Sequence, residues 1–233
     1  MTEERPFRPE RMLPVLLHHR VRFIILGGYG AMLHRVEGLE PTTDIDICPL
    51  LDDANLGRLR AALDELGAEP FFGETARSTS LRDLLANRER LEQTKAVMLV
   101  TEWGALDLVI RPDGISRGYL TLEPTAEIRP AVDPGGNPVG FDVPVASLRH
   151  IYISKKDAGR PKDIRALRHL ARALVEQVRR PRRAGATSDE SHRQGADPKP
   201  RCGVWIDSVG APCILRPHHG GNHRSRTSRV GPT

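Results

Sequence analysis

Cysteine is scarce. Cys48, Cys202 and Cys213 are the three in 233 residues, too few for a disulfide framework, so a reducing cytoplasmic compartment is the expectation. No apolar run is long enough to span a bilayer. The opening MTEERPFRPERM mixes charges and has no apolar centre, which argues against a secretory signal. Internal repeats are absent too. A strong charge bias is missing where it would matter most: the formal net charge is +5, but it resides in the last quarter of the chain. Residues 1–178 are slightly acidic, whereas 179–233 carry 11 Lys and Arg against 4 Asp and Glu. Overall basicity therefore says little about the folded part.

What is present is a composition of 39% hydrophobic and 28% charged residues, as in a globular domain with a real core. Residues 10–20 read as a helix with Leu13, Leu16 and Leu17 on one side, and VRFIIL over 21–26 as a buried strand. Gly27-Gly28 ends that strand, and the next eight residues make two helical turns. A strand over 43–49 follows, then a helix capped by Asp52 or Asp53, striped with Leu56, Leu59, Leu63 and Leu66 and closed by Gly67. Phe71-Phe72 begins a short strand, and Ser80 to Asp83 resembles a capping box for a helix to about Leu91. Residues 96–101 and 105–110 form a hairpin through Trp103-Gly104, and 126–145 a second one around PGGN. From Ser147 the pattern is helical, broken at 159–161, then resumed with Ile164, Leu167, Leu170, Leu174 and Val178 on one face. After 178 the chain is basic, rich in Gly and Pro and aperiodic, so 179–233 is expected to be a disordered tail appended to one domain over 1–178.

The chemistry lies in GGYGAMLHRVEGLEPTTDIDI, residues 27–47. Asp44 and Asp46 alternate with Ile45 and Ile47, so a strand puts both carboxylates on one face. Two like charges side by side call for a cation, and hard oxygen ligands suit Mg²⁺ or Mn²⁺. Asp107, flanked by Leu106 and Leu108, points away from their face. If its strand lies beside the first, three carboxylates converge. Such a set with two metal ions suits phosphoryl or nucleotidyl transfer. Gly27 and Gly28 would then let backbone N–H groups approach phosphates, aided by the helix start.

Other readings fit parts of the pattern. A lone D-x-D also fits a solvated strand edge. Gly28-Tyr29-Gly30 could open a dinucleotide fingerprint, but Leu33 stands where its third glycine belongs, which argues against a Rossmann fold. Cys202, Cys213, His218, His219 and His223 are ligand types without a zinc spacing. His34 reads as a packed or capping histidine rather than a general base, although a place facing the nucleotide stays open.

In order, the GG turn, T-x-D-I-D-I, the LDLV strand and SKKDAGRPKDIRAL resemble the nucleotidyltransferase superfamily, with its polymerase-beta-like fold. The closer likeness is to its AbiEii-type and MenT-like bacterial toxin branch, over roughly residues 15–175. The resemblance implies an α/β (α+β) fold: a mixed twisted sheet with flanking helices and a helical C-terminal part from about 147. It implies NMP transfer from an NTP, with Asp44, Asp46 and Asp107 holding Mg²⁺ or Mn²⁺, or Asp107 acting as base. Lys155 would serve catalysis at the triphosphate, and Gly27, Gly28, Thr42, Arg160, Lys162 and Asp163 would complete the nucleotide-binding set. Thr42 also reads as a simple β former and Asp163 as a first-turn acid. In toxin relatives the acceptor is tRNA, so an RNA acceptor and a cognate antitoxin protein are the implied partners, with no membrane. Transfer to a small molecule such as an aminoglycoside, transfer to a protein, and an inactive nucleotide-binding module are the alternatives. Two departures stand out: Glu40 occupies a position where relatives commonly carry arginine, with Arg35 a candidate substitute, and the turn has Gly-Gly where other branches have Gly-Ser.

Overall fold

The computed structural model describes residues 6–71, 81–179, 205–206 and 211–212. Contacts divide the chain into two units, Met1–Arg179 and Arg180–Thr233. In the second, Trp205–Ile206 pairs antiparallel with Ala211–Pro212. The rest of the expected tail, including its Cys and His ligand types, lies outside the described residues.

The first unit opens with α1 (Pro9–His18), whose Met12, Leu13 and Leu16 are buried. Strand β1 (Phe23–Leu26) is apolar and buried throughout, as a strand covered on both faces must be. Helix α2 (Gly27–Leu33) begins at the first glycine itself, so the Gly-Gly pair forms the first turn of the helix. Strand β2 (Asp44–Pro49) buries Ile45 and Ile47 completely and leaves Asp44 and Asp46 half-buried on the other face. In α3 (Asp53–Glu65), the N-cap is Asp52, which accepts from the Asn55 N–H at 2.6 Å.

The short strand β3 (Glu69–Pro70) starts two residues before the expected Phe71. Residues 72–80, with the expected capping box, lie outside the described residues. The expected single helix to Leu91 is two, α4 (Leu81–Ala86) and α5 (Arg88–Gln93). Asn87 separates them because its side chain caps α5, accepting from the Arg90 N–H at 2.9 Å, a competing hydrogen bond that favours a helix start over a helix interior. Strands β4 (Ala96–Thr101) and β5 (Gly104–Val109) form the hairpin. Its turn residues are Glu102 and Trp103, held by the Trp103 N–H donating to Thr101 Oγ1 at 3.0 Å.

A short helix α6 (Tyr119–Leu122) and one 3₁₀ turn lead into the hairpin of β6 (Glu127–Val132) and β7 (Pro138–Val145). Helix α7 (Leu148–Ala158) starts on Ser147 and ends on Gly159 at φ 61, and α8 (Pro161–Arg179) follows at once. The expected apolar face of α8 is only partly used. Leu170 is buried, whereas Ile164 and Val178 are exposed, because α8 packs mainly on α7. The strand order is β3-β4-β5-β2-β1-β7-β6, with β2–β5 and β1–β7 parallel and the other pairs antiparallel. The fold is thus a mixed α/β sheet with flanking helices, as expected. Among the described residues, no helix is long and apolar enough to cross a membrane.

Candidate active site

Parallel pairing of β2 with β5 places Asp46 directly opposite Asp107, and neighbouring strands lie about 4.8 Å apart. Asp44 sits two residues back on the same face of β2. The three acids are therefore brought to one patch of sheet. The same cross-strand row continues from Asp107 to Met98 on β4, which is 51% exposed. The charges register each other. Burial, then Asp44 and Asp107, pushes the Asp46 carboxyl up to about 7, although Lys155 and Arg160 pull it down. Asp107 is pushed up to about 6 by burial and then by Asp44. A cation bound among these carboxylates would oppose both shifts by favouring the charged forms. Its donors are all carboxylate oxygens, which fits a hard divalent cation. Among the described residues, no three His, Cys, Asp or Glu side chains already form a closed ligand group.

The glycine turn covers this patch. Gly27 has φ +69, and a β-carbon on it would come within 1.7 Å of Asp46 Oδ2. Only glycine tolerates both the backbone conformation and the contact. At Gly28 a β-carbon would meet Thr42 Oγ1 at 2.6 Å. Thr42 in turn donates to Asp44 Oδ1 at 2.6 Å, so this threonine is tied to the acid rather than serving only as a β former.

The opposite wall comes from the α7–α8 pair. Asp163 is completely buried and takes one cation on each oxygen: Lys155 Nζ at 2.9 Å from Oδ1 and Arg160 Nε at 2.5 Å from Oδ2. Burial raises the Asp163 carboxyl, but the hydrogen bonds from Arg160 and Lys155 prevail and hold it below the usual range. The acid expected in the nucleotide-binding set thus has both oxygens occupied by two of that set's own cations.

A cleft of about 770 Å³ lies between these walls, lined by Gly27, Gly28, Thr42, Asp44, Asp46 and Asp107 on one side and Lys155, Arg160 and Lys162 on the other. Every expected site residue except the buried Asp163 lines it. Arg165, Arg168 and His169 also line it, none of them among the expected site residues. Their signal was the spacing 162, 165, 168, 169, at steps of three and four along one helix. His34 is not in the lining. Its Nε2 donates to the Ala146 carbonyl at 2.8 Å, and burial lowers its proton affinity, so it ties α2 to the end of β7.

No family model matches the chain, and no curated protein matches it. Among solved structures it is similar to the antibiotic-resistance factor ANT(2'')-Ia, at 16% identity and a TM-score of 0.45, over 73% of this chain and 84% of that one. It is also similar to the lincosamide antibiotic adenylyltransferase LnuA in its lincomycin-bound form, at 14% identity and a TM-score of 0.41, over 73% of this chain and 97% of that one.

Proposed function

We propose that the chain is a nucleotidyltransferase that moves an NMP unit from an NTP to an acceptor hydroxyl. The observation that carries this reading is the register pairing of Asp46 with Asp107, beside Asp44 and across a cleft from Lys155, Arg160 and Lys162. The acids would hold Mg²⁺ or Mn²⁺, which when bound activates the attacking oxygen and steadies the leaving pyrophosphate. The cations of α7 and α8 take the polyphosphate, with Lys155 and Arg160 fixed in place by Asp163. The acceptor oxygen bonds to the α-phosphorus as the bond to pyrophosphate breaks. The hydroxyl proton goes to Asp107 where that carboxylate, opposite Asp46 in the strand register, serves as base rather than as a third metal ligand. Thr42 orients Asp44, and Gly27 keeps the backbone close over Asp46.

For the acceptor, the cleft volume of about 770 Å³ lies in the range of small-molecule sites. The exposed thioether of Met98 next to Asp107 offers an apolar contact for a small hydroxyl-bearing ligand. An RNA acceptor, tRNA in particular, is the second reading. It is favoured by the further cations Arg165 and Arg168 along the mouth, and it carries with it the AbiEii/MenT branch, a toxin role and an antitoxin partner, all of which rest on the sequence resemblance. The test is incubation with each α-labelled NTP and Mg²⁺, separately with total tRNA and with aminoglycosides and lincosamides. Label on a small molecule favours the first acceptor, and label on tRNA the second. ATP binding without transfer to anything leaves an inactive nucleotide-binding module. Transfer that survives Asp44→Ala and Asp46→Ala overturns the site.

A further inference from the structure

Glu40 and Arg165 form an ion pair at 2.8 Å across the mouth of the cleft, with both side chains more than half exposed. Glu40 belongs to the segment between α2 and β2, and Arg165 to the second turn of α8. Both line the cleft. Arg165 donates through Nε and through a terminal nitrogen to the two Glu40 oxygens, the fork geometry by which guanidinium also grips phosphate. Arg165 and then Lys162 hold the Glu40 carboxyl below its usual range, so it is fully charged at neutral pH. The same segment touches α8 once more: a β-carbon on Gly38, at φ +75, would come within 2.4 Å of the His169 ring. Two contacts thus seat this strap on α8 at Arg165, within the lining of the cleft.

Resting on the nucleotide reading of the cleft, we propose that Glu40 sets nucleotide affinity by competing, as a built-in carboxylate, with polyphosphate for Arg165. The competing group is weak enough to be displaced, because an exposed ion pair is screened and worth little. It is close enough to matter, because its effective concentration is that of the same chain. Glu40 is therefore a residue that positions Arg165 and holds it off the nucleotide, and it touches no reacting atom.

The full chain is titrated with ATP–Mg²⁺ and separately with tripolyphosphate at low salt. Glu40→Gln is compared with Glu176→Gln, which removes the same charge from the Arg172 pair, outside the cleft lining. Glu40→Gln is expected to tighten both ligands by about threefold to fivefold and to lower the KM for NTP correspondingly, while Glu176→Gln leaves binding as it is. On an Arg165→Ala background the gain from Glu40→Gln should vanish. If the wild type binds and Glu40→Gln matches Glu176→Gln, or if its gain persists without Arg165, the competition is refuted and the nucleotide reading stands. If neither the wild type nor Glu40→Gln binds either ligand, both fall together.

Discussion

Gly27 lies so close over Asp46 that a β-carbon would sit 1.7 Å from its Oδ2. The turn and the second acid are one device. Gly27→Ala therefore forces either the turn or the carboxylate to move, and it adds the cost of a left-handed φ on a residue with a β-carbon, about 1–2 kcal/mol. We expect Mg²⁺ to raise the Tm of the wild type, and we expect the variant to fold with a lowered Tm and to show no such rise. Thermal melts with and without Mg²⁺ measure this. A wild-type Mg²⁺ response in Gly27→Ala would mean that the close contact does not shape the site.

The acid cluster makes stability depend on pH in an unusual direction. Asp46 goes from an ordinary 3.8 to about 7 on folding, and Asp107 from 3.8 to about 6. The folded state thus binds these protons more tightly than the unfolded one. Their contribution to stability is fully present below about pH 4 and is lost as pH rises towards 7. Without metal, Asp46→Asn should be more stable than the wild type near pH 8, by a few kcal/mol at most, and the gap should narrow by about half or more at pH 5 and close below about pH 4. Urea denaturation at these pH values decides it. A gap that is constant with pH would remove the like-charge account. Because metal must displace these protons, Mg²⁺ affinity should fall as pH drops from about 8 to about 5.5, with proton release visible as a buffer-dependent binding enthalpy.

Asp163 is the stability-critical member of the basic wall. Removing its charge leaves Lys155, only 14% exposed, without its carboxylate, and breaking a buried pair on one side costs about 3–5 kcal/mol. Asp163→Asn should lower the Tm markedly and weaken ATP binding, since Lys155 and Arg160 lose their anchor. Arg160→Ala removes an exposed partner and should cost far less stability. Equal Tm values for the two variants would contradict the anchoring role.

The D-x-D strand, the Gly-Gly turn and the LDLV strand were legible because each is local: alternation fixes the face of Asp44 and Asp46, and flanking leucines fix that of Asp107. The partnership of β2 with β5 was only a condition, since no local pattern states which strands pair in parallel. Asp163 read both as a helix-start acid and as a nucleotide-binding residue; it is in the first turn of α8, and its bond to Lys155 across the turn between two helices has no local signature. Asn87 was hidden for the opposite reason. Its capping bond competes with a helical pattern that reads as continuous through it. Arg165 and Glu40 are 125 residues apart, so a charge reversal at 40 could be noticed in the sequence but its partner could not.

Thr42 offers the most conservative probe of the site. Its hydroxyl donates to Asp44 Oδ1 at 2.6 Å and stands against the Gly28 backbone. Thr42→Val keeps the shape and removes the donor, so Asp44 should lose its orientation while the fold is retained. Outer-shell losses of this kind cost about 10- to 100-fold in metal affinity or activity. We expect the effect to appear in Mg²⁺ affinity and in transfer rate, with Tm in the absence of metal nearly unchanged. Thr42→Ser retains the donor and should recover most of both. If Thr42→Val keeps the wild-type Mg²⁺ affinity and transfer rate, the hydrogen bond to Asp44 does not orient the site.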